Sequence, residues 1–468
     1  MSVQVRALLA ALIVAVVALT GALYLGYRAG VDADAAQNAD SPLSRLAALD
    51  PKMLGEPTDQ HLVSLAYQQV ERVYYKPVES ATLLKGERNG ILALLKVRHI
   101  NGTALPAGTT AGDAVDSGAL TRVLSYAESH YGTRVGSDGQ SQITQAALRG
   151  MMSALGDPYT VYLAPQEIRQ LNESLDGGNF GGIGVFIYEL KSGDIIVQPI
   201  EGLPAARAGM GDDIIDTVNG VPVKGIALDK VERMIRGDAG TTVTITAHPY
   251  KKSGKHTFRI AREIIHVPTV KAKVENNIEY VRLSDFGSTS ADEVRKAFLD
   301  GKAHNVKGYI LDLRDNGGGL LDAAVNISSI FIPQGTIVST IDRQGVKFDQ
   351  DAKGTAVSGL RPLVVLVNKY TASASEITSG AIKDYKLGLL VGTKTFGKGV
   401  VQSIYPMPDD GALKITTARY VTPLGRDIHH KGIQPDVVVD QDPDPALIDT
   451  PRDKQLAVAK ARLASMTR

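Results

Sequence analysis

Ser373 and Lys398 are the two side chains whose types and surroundings could perform acyl-transfer chemistry. Ser373 lies within Thr-Ala-Ser-Ala-Ser-Glu-Ile, and Lys398 follows in a segment framed by Gly397 and Gly399. A serine hydroxyl becomes a strong nucleophile when a neighbouring base accepts its proton, and an uncharged lysine amine is such a base. The pair therefore predicts a Ser-Lys dyad.

The elements around Ser373 are predicted from apolar patterning and helix capping. Residues 362–367 form a continuous apolar run, which is typical of a buried strand. Ser373 and Glu376 have the spacing of a capping box at a helix start. Backbone N–H groups and the helix dipole would stabilise an oxyanion there. A helix cap without a catalytic role needs the same spacing, so both interpretations stay open.

Lys398 is predicted to lie on a returning strand. Strand side chains alternate, so Lys398, Val400 and Gln402 are expected on one face. Poor hydration disfavours the charged amine, and burial can lower a lysine pKa by several units from its reference of about 10.4. Gln402 is expected to hold the amine by a hydrogen bond. The alternative is a surface lysine whose charged end reaches water.

Residues 392–398 also match the G-x-x-x-x-G-K pattern of a phosphate-binding loop. Position 399 is Gly where a Mg²⁺-binding Ser or Thr is needed, and strand-forming residues follow instead of a helix. A nucleotide site is therefore disfavoured. His429 and His430 have no further ligand at clear spacing and are interpreted as an exposed turn, so neither a metal nor a cofactor is predicted.

A glycine-rich loop, 316–319, lies between a predicted strand, 308–315, and a predicted helix, 320–331. Successive glycines let backbone N–H groups approach a ligand closely. The amide of Gly318 is the candidate second oxyanion donor, beside the amide of Ala374. A tight turn without a ligand would use the same glycines.

At these motifs the chain resembles the carboxy-terminal processing peptidases, serine proteases of the tail-specific or S41 class. The segments that carry the resemblance are DLRDNGGGLLDAAV from Asp312, TASASEI from Thr371, KTFGKGVVQ from Lys394 and ARYVTPLGRDIHHKGIQPDVVV from Ala418. The resemblance implies that Ser373 is the nucleophile, Lys398 the general base and Gln402 the residue that orients the lysine. It also implies an oxyanion hole formed by the amides of Gly318 and Ala374.

Residues 176–264 have a β-rich pattern that resembles a PDZ domain. Its glycine loop exposes successive amides, which can hold a C-terminal carboxylate while the peptide adds as a strand. The amides of Ile183, Gly184 and Val185 are the candidate carboxylate donors. Arg236 matches an arginine that couples the PDZ domain to the active site in some relatives, and it is interpreted as regulatory.

The N-terminal residues predict a membrane segment. Residues 7–27 carry no charge and, as a helix, span about 30 Å, the thickness of one hydrocarbon core. No A-x-A cleavage site follows at once, which favours a retained anchor over a cleaved signal peptide. Arg6 favours a cytoplasmic N-terminus. The catalytic part is then expected outside the cytoplasm, in the periplasm or at the cell exterior.

The expected fold class is α+β multidomain. Its parts are an N-terminal membrane helix or signal segment (1–30), a tether (31–60), a helical arm (61–175), a PDZ β-domain (176–264), an α/β serine protease core (265–441) and a C-terminal tail with a helix (442–468). Residues 61–97 and 120–155 share a helix, a Tyr-bearing turn and a second helix, which suggests a degenerate repeat. The role of the first copy stays open.

Composition narrows the function classes. The chain has 468 residues, a net charge of +1 and no cysteine, which argues against nucleic-acid binding and excludes disulfides and a cysteine nucleophile. The predicted function is a membrane-anchored serine endopeptidase. It would cleave protein substrates near their C-termini after its PDZ domain captures an apolar tail. The alternatives are an inactive PDZ scaffold that binds C-terminal peptides and a Ser-His-Asp hydrolase; a homo-oligomer is left open.

Overall fold

The computed structural model describes residues 58–101, 104–107, 116–175, 180–190, 192–250, 254–266, 268–360, 362–441 and 444–466. The predicted membrane segment and nearly all of the tether lie outside these ranges. Within them, no helix combines the length and the apolar character that a membrane crossing requires.

The described residues divide into two units. One comprises the chain up to Ile168 together with Gln402–Thr417, and the other comprises Arg169–Val401 together with Ala418 onward. Residues 402–417 were expected in the protease core, whereas the structure groups them with the helices. The reason is strand pairing, because Ala412–Lys414 pair antiparallel with Val161–Leu163.

The first unit contains four main helices and a short strand, namely α1 Asp59–Val73, α2 Ser80–Val97, α3 Ser117–Val135, α4 Gly139–Ser153 and β1 Val161–Leu163. Both segments of the suggested repeat are helix pairs. Tyr131 of the second pair lies buried inside α3, so the expectation of a second Tyr-bearing turn is wrong. Helices α2 and α4 cross closely because glycines meet, and a Cβ at Gly150 would lie 2.2 Å from the Gly86 carbonyl oxygen.

The second unit begins with a β-rich region after α5 Pro165–Leu175. Its elements are β2 Phe180–Gly182, β3 Val185–Glu189, β4 Ile195–Pro199, α6 Pro204–Arg207, β5 Asp213–Val218, β6 Val221–Pro222, α7 Leu228–Ile235, β7 Thr242–Pro249, β8 His256–Ala261 and β9 Glu263–Ile265. The sheet order is β3-β4-β5-β7-β8, so β3 is an edge strand. Apolar residues that include Val197, Ile215 and Val243 form its core.

The rest of the second unit is built on a six-stranded sheet. The elements that follow β9 along the chain are β10 Val270–Glu275, β11 Ile278–Leu283, α8 Ser290–Ala303, β12 Gly308–Asp312, α9 Leu321–Phe331, β13 Thr336–Asp342, β14 Lys347–Asp351, β15 Leu363–Val367, α10 Ala374–Asp384, β16 Leu389–Gly392, β17 Val400–Pro406, β18 Ala412–Val421, β19 Val437–Val438, the 3₁₀ turn Pro445–Leu447 and α11 Lys454–Met466. Of these, β17 from Gln402 onward and β18 up to Thr417 belong to the first unit. The sheet order is β10-β11-β12-β15-β16-β19.

Both faces of this sheet are covered. Strands β12 and β15 are buried at every position, as their apolar runs require for strands between two layers. Tyr309 and Leu311 of β12 pack in the layer that contains α8, α9 and α10. Ile310 packs on the opposite face with Leu456 and Leu463 of α11.

Strand β17 begins at Val400, so the expectation of a strand that includes Lys398 is wrong. Strand alternation therefore does not fix the direction of the Lys398 side chain. Strand β13 pairs with β14 and, through Ser339–Asp342, with Ala418–Val421 of β18.

Candidate active site

Ser373 begins helix α10 in a backbone conformation that side-chain-bearing residues rarely adopt. Its φ is 56° and its ψ is −116°. Such a conformation costs on the order of 1–3 kcal/mol and persists only when surrounding contacts impose it. A strained turn between a strand and a helix exposes the nucleophilic serine of many hydrolases. Here the turn lies between the buried strand β15 and helix α10.

Small neighbours make this turn possible. Gly318 has a φ of 104°, and a Cβ added to it would lie 2.8 Å from the Ser373 Cβ and 2.8 Å from the Ala374 amide nitrogen. The glycine loop therefore packs directly against the serine. A larger residue at position 318 would force the two segments apart.

The predicted contact between Ser373 and Glu376 is present. The Ser373 amide donates to the Glu376 carboxylate at 3.0 Å. The Glu376 amide in turn donates to the Ser373 carbonyl oxygen at 2.8 Å. The side chain of Ser373 is half-buried.

The Glu376 carboxylate joins the serine segment to the lysine segment. It is fully buried. Its four donors are the amides of Ser373 at 3.0 Å, Gly397 at 2.7 Å and Lys398 at 2.8 Å, and the Thr395 hydroxyl at 2.5 Å. Burial raises the pKa of Glu376 above its usual range, although each of these hydrogen bonds opposes the rise. The sequence identified Glu376 only as a capping residue.

The Tyr420 hydroxyl joins the same two segments from the carbonyl side. Its one O–H is shared between two acceptors, the Lys398 carbonyl oxygen at 2.6 Å and the Ser373 carbonyl oxygen at 3.1 Å. The sequence pattern indicated no separate role for Tyr420, although it lies in the segment from Ala418 that carries the family resemblance. The only available signal was its place in that segment.

Lys398 is half-buried and lies between two glycines that pack closely against the chain beyond β18. A Cβ at Gly399 would lie 2.7 Å from the His429 amide nitrogen, and one at Gly397 would lie 2.8 Å from the Gly432 amide nitrogen. The two glycines therefore allow the lysine segment to pack closely against residues 429–432.

The two predicted oxyanion donors differ in their surroundings. The Ala374 amide lies in the first turn of α10, where helix N–H groups have no acceptor within the helix, and it donates to no other described residue. The Gly318 amide donates to Asn316 Oδ1 at 2.9 Å. The Asn316 side chain is itself held by a bond from its amide nitrogen to the Leu283 carbonyl oxygen at 2.8 Å.

A buried ion-pair network anchors the start of the glycine loop. The Arg314 guanidinium is 1% exposed and donates to Asp312 and, through two nitrogens at 2.8 Å each, to Asp453. Burial lowers the pKa of Arg314, but the two carboxylates outweigh burial and raise it. Asp453 immediately precedes α11, so the C-terminal helix is tied to the strand end that leads into the loop.

The remaining predicted site residues lie in several places. Gln402 lies in β17, in the first unit, with its side-chain nitrogen 3.5 Å from Thr416 Oγ1. The Arg236 guanidinium lies over the Phe180 ring, 3.9 Å from its centroid, and pairs with Glu232.

The ring centroids of the adjacent His429 and His430 are 3.8 Å apart. The described residues contain no group of three or more side chains suited to hold a metal.

The loop that contains Ile183, Gly184 and Val185 precedes the edge strand β3. The carbonyl oxygens of Ile183 and Gly184 accept from the amides of Ala205 and Ile200, at 2.8 and 2.9 Å. The amides of Ile183 and Gly184 donate no hydrogen bond to other described residues. Gly184 has a φ of 71°. Two adjacent amides are therefore available beside an open strand edge.

Comparisons with known proteins agree on one class of enzyme. Residues 277–439 match the model of peptidase family S41. A carboxy-terminal-processing protease of Bartonella bacilliformis is 38% identical over 306 residues, which cover 64% of this chain and 70% of the relative. A probable CtpA-like serine protease of Staphylococcus aureus is 34% identical over 375 residues, which cover 79% of this chain and 74% of the relative.

Among solved structures, the chain is similar to a photosystem II D1 C-terminal processing protease. The sequence identity is 30% and the TM-score is 0.45. The similarity covers 83% of this chain and 94% of that protein.

Proposed function

The chain belongs to peptidase family S41 and is a serine-type peptidase of the carboxy-terminal-processing kind, and from that premise we propose that Ser373 and Lys398 form its catalytic dyad. The observation that carries the proposal is the backbone of Ser373, with φ of 56° and ψ of −116° at the start of α10. Strain of this kind is typical of an exposed nucleophile. The Glu376 carboxylate, which accepts from the amides of both residues, supports the pairing.

Acylation begins when the Ser373 Oγ attacks the scissile carbonyl carbon. Lys398 Nζ, uncharged before the attack, accepts the serine proton and later gives it to the leaving amine. The acyl-enzyme ester is then hydrolysed by water that the same amine activates. Gln402 is proposed to orient the amine through a hydrogen bond in the working state.

The Ala374 amide is the first oxyanion donor, because no described residue uses it. The Gly318 amide becomes the second donor only after it leaves Asn316 Oδ1, to which it is bonded at 2.9 Å. Glycine at 318 permits that rotation, since its φ is not restricted by a side chain. Each donor contributes roughly 3–4 kcal/mol to transition-state stabilisation in comparable enzymes.

Residues 176–264 are proposed to act as a PDZ domain that captures the substrate tail. Strand β3 is the edge strand, so an extended peptide can pair with it. The available amides of Ile183 and Gly184, with that of Val185, would hold the terminal carboxylate. Arg236, above the Phe180 ring, is proposed to couple tail binding to the active site.

The uncharged run at 7–27 supports a membrane anchor with the catalytic part outside the cytoplasm. The proposed enzyme is thus a membrane-anchored endopeptidase that cleaves proteins near their C-termini.

The test compares cleavage of a protein with an apolar C-terminal tail by the full chain, Ser373→Ala and Lys398→Ala. Both variants are expected to lose roughly a thousandfold or more in kcat, because the two groups act as one unit. The matched control is Lys394→Ala, which removes an exposed lysine four positions before the base and is expected to cleave normally.

Two outcomes would overturn the dyad. Full activity in Lys398→Ala would favour the Ser-His-Asp hydrolase. Binding of the tail without cleavage by the unmodified chain would favour the inactive scaffold. A substrate whose tail carboxylate is amidated tests the PDZ proposal separately from the dyad. Amidation should raise the KM of the tailed substrate, whereas a tail-independent peptide should be cleaved as before.

A further inference from the structure

The two segments that carry the proposed dyad are separate in the chain and must be held in register. Ser373 begins α10, and Lys398 lies in the loop before β17. A misplacement of 1 Å at a catalytic group can lower a rate by about a hundredfold. The contacts that join these two segments therefore determine whether the side chains meet.

We propose that Tyr420 is a positioning residue that fixes the distance between the nucleophile segment and the lysine segment through its hydroxyl group. This inference rests on the proposed dyad and adds a residue to it. The hydroxyl bridges the carbonyl oxygen of Lys398, at 2.6 Å, and that of Ser373, at 3.1 Å. It thus contacts the main chain of both proposed catalytic residues at once.

The tyrosine is itself firmly held. Tyr420 is 1% exposed and lies in β18, whose residues 418–421 pair with β13. The Tyr420 amide also donates to the Gly399 carbonyl oxygen at 3.0 Å, next to the lysine. A side chain with so little freedom can impose a distance on the two carbonyl groups that it binds.

Glu376 completes the connection from the other side of the two peptide units. Its carboxylate accepts the amides of Ser373 and Lys398, whereas Tyr420 donates to their carbonyls. In both residues, Glu376 thus binds the backbone amide and Tyr420 binds the backbone carbonyl. Loss of the Tyr420 hydroxyl removes the contact to both carbonyl groups, while Glu376 and the bond from the Phe396 amide to the Thr371 carbonyl oxygen, at 3.0 Å, stay in place. The lysine segment is then expected to tilt about these remaining contacts.

The test is Tyr420→Phe in the full chain, with kcat and KM measured on the tailed substrate and on a short tail-independent peptide. The expected result is a fall in kcat of about tenfold or more with KM within about twofold of the unmodified chain. A residue that only supported folding would instead lower the fraction of folded enzyme, and the active enzyme would keep its kcat.

The matched control is Tyr385→Phe. The Tyr385 hydroxyl also donates to a main-chain carbonyl, that of Thr336 at 3.0 Å, but Tyr385 lies at the opposite end of α10 from Ser373 and its hydroxyl does not bind the main chain of Ser373 or Lys398. This variant is expected to keep its kcat, and its thermal midpoint reports the cost of losing one hydroxyl-to-carbonyl bond.

A rescue variant keeps the test decisive where Tyr420→Phe folds poorly. Tyr420→4-aminophenylalanine places an amine with two N–H donors at the position of the hydroxyl, so it should bind both carbonyls and restore most of kcat. The proposal is overturned if Tyr420→Phe keeps kcat within about twofold, or if the amine variant folds and stays inactive. Lys398→Ala, measured beside them, distinguishes the failures, since an active Lys398→Ala refutes the dyad itself.

Discussion

At the scale of single residues, the conformation of Ser373 is the feature that the sequence could least predict. The capping relation with Glu376 follows from spacing, and the structure has it. The positive φ does not follow from spacing, because the turn packs directly against Gly318, which is distant in the chain. For the same reason the sequence did not predict the other donors to Glu376, which come from residues 395–398.

A substitution that relieves the backbone strain at Ser373 should increase the free energy of unfolding. Ser373→Gly is expected to raise the free energy of unfolding by about 1 kcal/mol relative to Ser373→Ala. Glycine removes strain of about 1–3 kcal/mol but adds about 0.4–1 kcal/mol of unfolded-state entropy. Both variants lack the nucleophile, so activity does not confound the comparison. Denaturant unfolding of the two variants measures the difference. A glycine variant less stable than the alanine variant by about 0.4–1 kcal/mol, the entropy cost alone, would show that Ser373 is not strained.

A second prediction at the residue scale concerns Glu87 and the pH dependence of stability. It is fully buried in α2, and neither carboxylate oxygen has a hydrogen-bond partner among the described residues. Burial raises the pKa of Glu87 to about 9. Because the folded-state pKa lies above the unfolded value, the contribution of Glu87 to stability is fully present below about pH 4.5 and is lost as the pH rises toward 9.

Glu87→Gln should remove this pH dependence. The unmodified chain is expected to lose about 1.4 kcal/mol of unfolding free energy per pH unit more than the variant between pH 6 and pH 8. Urea unfolding at several pH values checks the slope. Parallel stability profiles for the two proteins would mean that Glu87 is ionised in the folded state.

At the scale of elements, the sequence predicted the strands at 308–315 and 362–367 and the helix at 320–331 within a few residues of their observed bounds. Apolar runs such as 363–367 are buried at every position, so their patterning was sufficient. The strand before Gln402 was predicted too early, because Gly397 and Gly399 turn the lysine segment against residues 428–432 instead. Gly397 and Gly399 are only a weak sign of such a turn, because the β-branched residues that follow them favour a strand.

Helix α11 is tied to the glycine loop by an ion pair that the sequence did not indicate. Asp453→Asn keeps a helix-capping side chain but removes the charge that faces Arg314. We expect a loss of about 3 kcal/mol of unfolding free energy, since one partner of a buried pair is neutralised, together with reduced kcat as the loop shifts. Denaturant unfolding and peptide cleavage measure the two effects.

The control for that substitution is Glu275→Gln. Lys460 of α11 also binds Glu275, at 3.0 Å, but that pair is partly exposed to solvent, unlike the Arg314 network. Its loss should cost less than about 1 kcal/mol. Equal effects of the two substitutions would mean that burial of the Arg314 network adds nothing to stability.

At the scale of the whole molecule, the S41 assignment and the peptidase activity were predictable, because four motifs fall in one order along the chain. The division of the described residues into two units was not predicted, since residues 402–417 join the helices through strand pairing with Val161–Leu163. Long-range pairing of this kind leaves no periodic signal. The roles of residues 176–264 in tail capture and of the N-terminal run in anchoring stay predictions.

The most direct measurement for the dyad is covalent labelling with a fluorophosphonate, mapped by mass spectrometry. The account predicts one adduct on the unmodified chain, at Ser373, and none on Ser373→Ala or Lys398→Ala, while Lys394→Ala labels normally. An adduct on another serine, or undiminished labelling of Ser373 in Lys398→Ala, would contradict it.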